Sequence, residues 1–386
     1  MTNLVTVIDF SSSGLRIVTG YYFKGTVYAL QAMEGEPISL DENGYLNKKE
    51  TLQSLALLLQ EAKSRLKGEL GVYIALLPPD GFMVNSQETS CTTIDETSKI
   101  VQKDYANCIS QINKKAKIEN KKIVYDHPTL FGDDNKKDYE NFPINAESDN
   151  LYVFADVMMV DESSFNHYDS ILKELNLNIY MYLVAPFATV SFINFFGGPK
   201  SYICLDIEKD YTYVSYISKK RMNDTNRIPF GIDQMVEIAS SELNLDKEKT
   251  YEYLKLYGLL KDPGFLFVTK ENKTLEDTSA AFKKGLAPLI EMVNNFITKY
   301  NISPNVAVVI SGIGADIDDL DKYLLNEFKR DNMVLFSKVI GARNKVYTNC
   351  VGAILISSFS YQNPIYVAEK LGNNQTFKAD SFSRGK

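Results

Sequence analysis

Two apolar runs in the chain each end in an aspartate, followed by a short polar turn and a second strand-like run. The first is LVTVID, ending at Asp9, then FSSSG and LRIVTGYY; the second is YICLD, ending at Asp206, then IEKD and YTYVSYI. A carboxylate at the mouth of a β-hairpin can organise a small divalent cation and its waters, because such a cation prefers oxygen ligands and sheds water reluctantly. In the first turn Ser11, Ser12 and Ser13 offer amides and hydroxyls to an anion. The second turn carries Glu208, Lys209 and Asp210, and two carboxylates there repel an anion unless they point outward.

Other chemistries lack their residues. The two histidines, His127 and His167, are 40 positions apart and neither lies in an HExxH or HxH context, which argues against a histidine-rich metal site or a histidine-based triad. Cys91, Cys108, Cys204 and Cys350 are scattered without a CxxC, and Cys204 sits in an apolar run, as a small buried hydrophobe does. The expected chain is therefore reduced and cytosolic, neither a disulfide scaffold nor a zinc protein. A net charge of −7 with no long basic block argues against nonspecific nucleic-acid binding, which needs clustered positive charge. A lone SGIG at 311–314 lacks the third glycine of a dinucleotide fingerprint and comes too late for a first βαβ unit.

The elements that would position these residues repeat. The two aspartates are 197 residues apart, and each hairpin is followed by helical material, which suggests a duplicated α/β unit. Apolar spacing predicts helices over 48–67, 231–243 and 275–300. A third strand, NVAVVISGIG at 305–314, precedes a helix at 318–328 whose first turn is acidic, as the positive end of a helix favours. The segment 80–161 reads as a helix near 101–114, a strand at 121–125, a polar loop at 133–150 and a strand at 151–160. A helix at 164–175 and a strand at 178–184 follow. The N-terminus reads as no signal peptide. The most lipid-like stretch, 179–196, holds Pro186, Thr189, Ser191 and Asn194, and reads as a strand entering a buried helix capped by Gly197 and Gly198. The expected protein is soluble.

This order of motifs resembles the actin-like ATPase superfamily, and more narrowly the bacterial cell-division protein family FtsA, over about the first 360 residues. The run at 9–16 (DFSSSGLR) resembles the family's first phosphate motif, Asp206 opens the counterpart of the second, and VVISG ending at Gly312 resembles the adenosine motif. The segments IPFGIDQMVEIA at 228–239, YEYLKLYG at 251–258 and APFATV at 185–190 resemble further family helices. In actin and chaperone relatives the inserted subdomain lies elsewhere, so an insertion at 80–161 favours FtsA. The resemblance implies an α/β, actin-like (ribonuclease H-like) two-lobed fold with an FtsA-type inserted subdomain in the first lobe. Its implied divisions are 1–79 and 162–198 for the first lobe, with 80–161 inserted. The second lobe takes 199–226 and 302–362, with a small subdomain at 227–301, and 363–386 is a flexible tail.

The resemblance also implies ATP with magnesium as cofactor. Asp9 and Asp206 would hold the metal through water, and Ser11, Ser12, Ser13 and Gly312 would line the nucleotide. Glu252 and Lys255, three apart on one helix face, match the pair that contacts ribose and adenine. The departures point to weakened binding and little or no hydrolysis. Ser11 replaces a glycine, Gly14 replaces the basic residue at the end of the first turn, and the glycines of the second turn become Glu208, Lys209 and Asp210. No carboxylate motif for a kinase base is present. The implied partner is the tubulin-like protein FtsZ, whose C-terminal peptide docks on 227–301, with head-to-tail self-association into filaments. The tail after Tyr361 lacks amphipathic spacing and is broken by Gly372, Asn373 and Asn374, so it reads as no membrane anchor. The expected location is cytoplasmic, with the inner face of the membrane at the division site reached through another protein, weakly through the mildly basic tail, or not at all. A working ATPase or small-molecule kinase, and a pilus-assembly relative, are the alternative readings.

Overall fold

A computed structural model of the chain describes residues 4–259, 271–330, 339–342 and 344–360. In chain order the elements begin with β1 (Val5–Asp9), β2 (Arg16–Phe23), β3 (Thr26–Glu34), α1 (Lys48–Leu66) and β4 (Val72–Leu77). Then come β5 (Met83–Thr92), α2 (Gln102–Ala116), β6 (Lys121–Gly132), β7 (Asp138–Tyr139), β8 (Asn150–Asp161), α3 (Glu162–Glu174), β9 (Ile179–Val184) and α4 (Ala185–Phe195). The second half holds β10 (Tyr202–Ile207), β11 (Thr212–Ser218), β12 (Arg221–Ile228), α5 (Ile232–Leu243), α6 (Lys247–Tyr257) and α7 (Leu275–Lys299). It closes with β13 (Ala307–Ser311), α8 (Leu320–Phe328), β14 (Val339–Ile340) and α9 (Thr348–Ser360).

The two halves repeat one topology. The first sheet runs β14-β3-β2-β1-β4-β9 and the second runs β12-β11-β10-β13. In each, a central strand pairs antiparallel with the strand after it and parallel with a later one. Asp9 stands opposite Arg16 on β2 and Leu76 on β4; Asp206 stands opposite Tyr213 on β11 and Ser311 on β13. The fold is therefore actin-like, with two related α/β lobes. The central strands are buried along their whole length, as a sheet covered on both faces requires.

A third sheet, β5-β8-β6-β7, is fully antiparallel and packs its own core against α2 through Cys108, Ile112, Val153, Val157 and Met159. The strand expected at 121–125 extends to Gly132, and a two-residue strand lies within the loop expected at 133–150. A division of the second lobe between residues 226 and 227 would cut β12 two residues before its end.

The chain crosses between lobes at α4 and returns through α9. The two helices pack side by side, and α9 also lies on β1 and β2. Gly352 makes the close approach: a β-carbon there would sit 1.9 Å from the Ala188 carbonyl oxygen. Phe192, Ile193, Val351, Ile354 and Leu355 join the main core to Tyr202, Cys204 and Val309 of the second sheet. Each such buried side chain contributes on the order of 1.5–3 kcal/mol. The lipid-like stretch is accounted for here: β9 enters α4, and Gly198 N–H closes the helix on the Ile193 carbonyl. No described helix is long and apolar enough to cross a membrane, and all four cysteines are free and buried. The tail expected at 363–386 lies outside the described residues.

Candidate functional site

The two hairpin turns meet face to face between the lobes. In the first, Ser13 N–H donates to Ser11 Oγ at 3.1 Å and Ile38 N–H donates to the Ser12 carbonyl at 3.1 Å, so the turn is held from both sides. In the second, Glu208 N–H donates to the Tyr211 carbonyl at 2.9 Å, and the first amides of α5 fasten the turn from behind. Ile232 N–H reaches the Glu208 carbonyl at 3.0 Å and Asp233 N–H reaches the Lys209 carbonyl at 2.9 Å. These are amides that a helix start leaves without intrahelical partners. The approach demands glycine before α5, because a β-carbon on Gly231 would lie 2.4 Å from both carbonyl oxygens.

Glu208 points inward, across the gap. Its Oε2 accepts from Ser11 Oγ at 2.7 Å and from Ser13 Oγ. Arg16, the first residue of β2, grips the same carboxylate with two parallel bonds, Nη1 to Oε1 at 2.8 Å and Nη2 to Oε2 at 2.9 Å. Ser13 Oγ in turn accepts from Lys209 N–H at 2.9 Å. Arg16 is 0% exposed and Glu208 2%. A bidentate pair with this geometry is among the strongest polar contacts a protein makes, and burial removes the solvent that would screen it.

The aspartates lie beside this pair. Asp9 Oδ2 is 3.8 Å from Arg16 Nη1 and accepts no hydrogen bond, while Arg16 Nε donates to Glu34 at 3.1 Å. Asp206 accepts from Ser311 Oγ at 2.9 Å and from Asn349 Nδ2 at 3.3 Å. Burial pushes the Asp9 carboxyl up to about 7; Asp206 and Glu208 add to the rise, against Arg16 and Asn349. Burial likewise pushes Asp206 up to about 6, with Glu208 adding to it. Burial works against the Arg16 charge, but Glu208, Asp9 and Glu34 outweigh it and hold the guanidinium firmly protonated.

The sequence-predicted residues divide into two groups. Asp9, Ser11, Ser13 and Asp206 come together at the gap, and Ser12 is buried in the same turn. Gly312, at φ 73°, opens a short 3-10 helix at Ile313–Asp316. A β-carbon there would meet the Ile207 carbonyl at 2.4 Å, Asp206 Oδ1 at 2.8 Å and Glu208 Oε1 at 2.9 Å, so its smallness serves the packing of the second turn. Glu252 and Lys255 are exposed on α6 and take no part in the Arg16–Glu208 contacts; Lys255 lies over the Tyr251 ring, 4.7 Å from its centroid. Burial raises the neighbouring Tyr251 phenol, and Asp233 and Glu34 add to the rise. Sequence reasoning missed Arg16 and Glu208 as partners, along with Asn349 and Ser311.

Two expectations change. The basic residue thought lost at Gly14 is supplied two positions later by Arg16, and Glu208 does not point outward. The donors that could cradle a terminal phosphate are already bonded to a carboxylate. Three buried carboxylates, Asp9, Asp206 and Glu208, face one fully buried guanidinium. A triphosphate brought into this arrangement would meet like charge in a water-poor space. The residues present therefore do not fit a nucleotide's terminal phosphate. Among the described residues, no group of three or more histidine, cysteine or acidic side chains is placed to hold a metal ion.

Further contacts span the lobes. Arg227 of β12 donates to Asp80 at 3.2 Å and to the Gly44 carbonyl at 3.1 Å, and its guanidinium lies 4.4 Å from the Tyr211 ring centroid. Arg221 donates through Nε to Asp156 of β8 at 2.7 Å and through Nη2 to Ser86 at 3.0 Å.

No protein-family model matches the chain, and no curated protein sequence matches it. Solved structures do. A chain from a PilM-PilN type IV pilus biogenesis complex aligns with a TM-score of 0.60 at 13% identity, covering 92% of this chain and 98% of that one. MreB 5 of Spiroplasma citri bound to AMPPNP aligns at 0.52 and 10%, covering 95% and 99%. The ethanolamine utilization protein EutJ from Carboxydothermus hydrogenoformans aligns at 0.51 and 11%, covering 91% and 88%. At these identities the likeness is one of fold, and the fold of this chain is the actin-like ATPase fold.

Proposed function

We infer that the chain is an actin-like adaptor, a protein that works by binding other proteins while its cleft turns over little or no nucleotide. The observation that carries this is the Arg16–Glu208 pair, which joins the two turns that would otherwise face phosphate. Phosphoryl transfer needs positive charge and free donors converging on the transferred group. Here the donors converge on Glu208.

The resemblance of the hairpins and of the 228–239 and 251–258 segments to FtsA gives the reading its cellular role. It makes the chain a division-ring scaffold that binds the FtsZ C-terminal peptide through residues 227–301 and stacks into actin-like filaments at the membrane. ATP with magnesium, bound through Asp9 and Asp206, belongs to that reading only as a weak ligand. A second reading, pilus assembly, draws support from the near full-length likeness to a chain of a PilM-PilN complex. In both the chain is an adaptor rather than a catalyst.

Co-sedimentation with FtsZ polymers from the same organism, beside an FtsZ lacking its C-terminal peptide, tests the role. Pelleting that needs the peptide is the expected result, and no pelleting at all moves the role to the pilus-type reading. A parallel assay of ATP hydrolysis tests the class. Turnover comparable to a working ATPase would overturn the adaptor reading altogether.

A further inference from the structure

Ser11, Ser13 and Arg16 have the makings of an anion site when viewed without their occupant. Two hydroxyls and a planar guanidinium converge on one point, the guanidinium is fully buried, and all are fixed by the strand and turn that carry them. A guanidinium fork of this kind matches the oxygen spacing of a carboxylate and of a phosphate alike. What fills the point is a carboxylate from the other lobe, 192 residues further along the chain.

We propose that Ser11, Ser13 and Arg16 form an oxyanion site whose resident ligand is the chain's own Glu208, which clasps the two lobes together in place of a bound anion. This deepens the adaptor reading and rests on it. A nucleotide-driven relative would join its lobes through a ligand that comes and goes, whereas this chain carries the ligand as a side chain. The site is latent: once Glu208 is removed, the Ser11 and Ser13 hydroxyls and the Arg16 Nη groups lose their acceptor, while Glu34 stays on Arg16 Nε and Asp9 stays 3.8 Å from Nη1, and a free inorganic phosphate can satisfy the vacated donors. The second turn is held to α5 by the Glu208 and Lys209 carbonyls, which a side-chain change leaves in place.

The test compares wild type with Glu208→Ala, both prepared in phosphate-free buffer and then titrated with inorganic phosphate, with acetate and with sodium chloride at matched ionic strength. Heat of binding and melting temperature are read together. In Glu208→Ala, phosphate is expected to bind saturably and to restore the melting temperature along the same curve. Acetate should act more weakly and sodium chloride not at all, and wild type should bind none of them saturably. Glu208→Gln keeps the shape and removes the charge, so it should show the same phosphate dependence at lower affinity.

If both variants ignore phosphate, or neither folds even with phosphate at saturation, the site is not an oxyanion site and the proposal falls. Saturable phosphate binding by wild type, equal to that of Glu208→Ala, would equally overturn Glu208 as the occupant. Neither result touches partner binding, whereas rapid ATP turnover by wild type would sink the adaptor reading while leaving these titrations interpretable.

Discussion

The hairpin β1–β2 and the hairpin β10–β11 each run an apolar strand into a buried aspartate, turn, and pair back antiparallel, with a parallel neighbour on the far side. Their turns differ in chemistry. The first presents donors, the hydroxyls of Ser11 and Ser13 backed by Arg16, and the second presents an acceptor, Glu208. Two turns that both donate can meet only around an anion. A donor turn and an acceptor turn can meet each other. The duplicated scaffold is thus used twice with opposite sign, and the joint between the lobes becomes part of the chain.

The largest expected effect comes from breaking the joint on its donor side. Arg16→Met fills similar volume but leaves the Glu208 carboxylate buried with two hydroxyls and no cation. Removing one partner of a buried ion pair costs about 3–5 kcal/mol. Equilibrium urea unfolding of the variant should show a loss of that size. The double variant Arg16→Met with Glu208→Met should recover part of it, because the stranded charge is gone. A single-variant loss below about 1 kcal/mol would mean that the lobes are joined elsewhere.

The aspartates give a test with a pH signature. Asp9 and Asp206 both have folded-state values raised above the ordinary 3.8, to about 7 and about 6. Between the ordinary and raised values the folded chain binds more protons than the unfolded one. The stability tied to these groups is therefore greatest below about pH 4 and is lost as pH rises through 6 and 7. Asp9→Asn removes the charge that burial opposes. It is expected to stabilise the protein by roughly 4 kcal/mol at pH 8 and to have almost no such effect at pH 4. Thermal unfolding across that range reads the difference. A variant equally destabilised at both pH values would show that the ionised Asp9 is needed beside Arg16.

How far the site could be read beforehand follows from how local each signal is. The hairpins were legible because strand, aspartate, turn and strand are consecutive, and α5 and α7 because their apolar spacing is regular over 12 and 25 residues. The partnership of Arg16 with Glu208 joins residues 192 positions apart, and nothing in either segment names the other. One signal was present: an arginine opening a strand as apolar as β2 needs a buried counter-charge. Another was that a glycine and a basic residue were missing from opposite turns, a paired departure that could have been read as compensation. Glu252 and Lys255 show the converse, since their helical spacing was correct while their surroundings on the exposed face of α6 lie outside any local pattern.

The smallest effect separates the central joint from the outer one. Arg221 ties β12 to Asp156 of the third sheet, but its side chain is 46% exposed, and a pair open to solvent on one side is worth about 0.5–1 kcal/mol. Arg221→Ala should therefore leave urea unfolding nearly unchanged. Hydrogen exchange should rise in β5 and β8, where Ser86 and Asp156 lose their shared donor. Should this variant cost more than Arg16→Met, the lobes would be held chiefly through the third sheet. The opposed chemistry of the two hairpins would then be a local accommodation rather than the joint of the molecule.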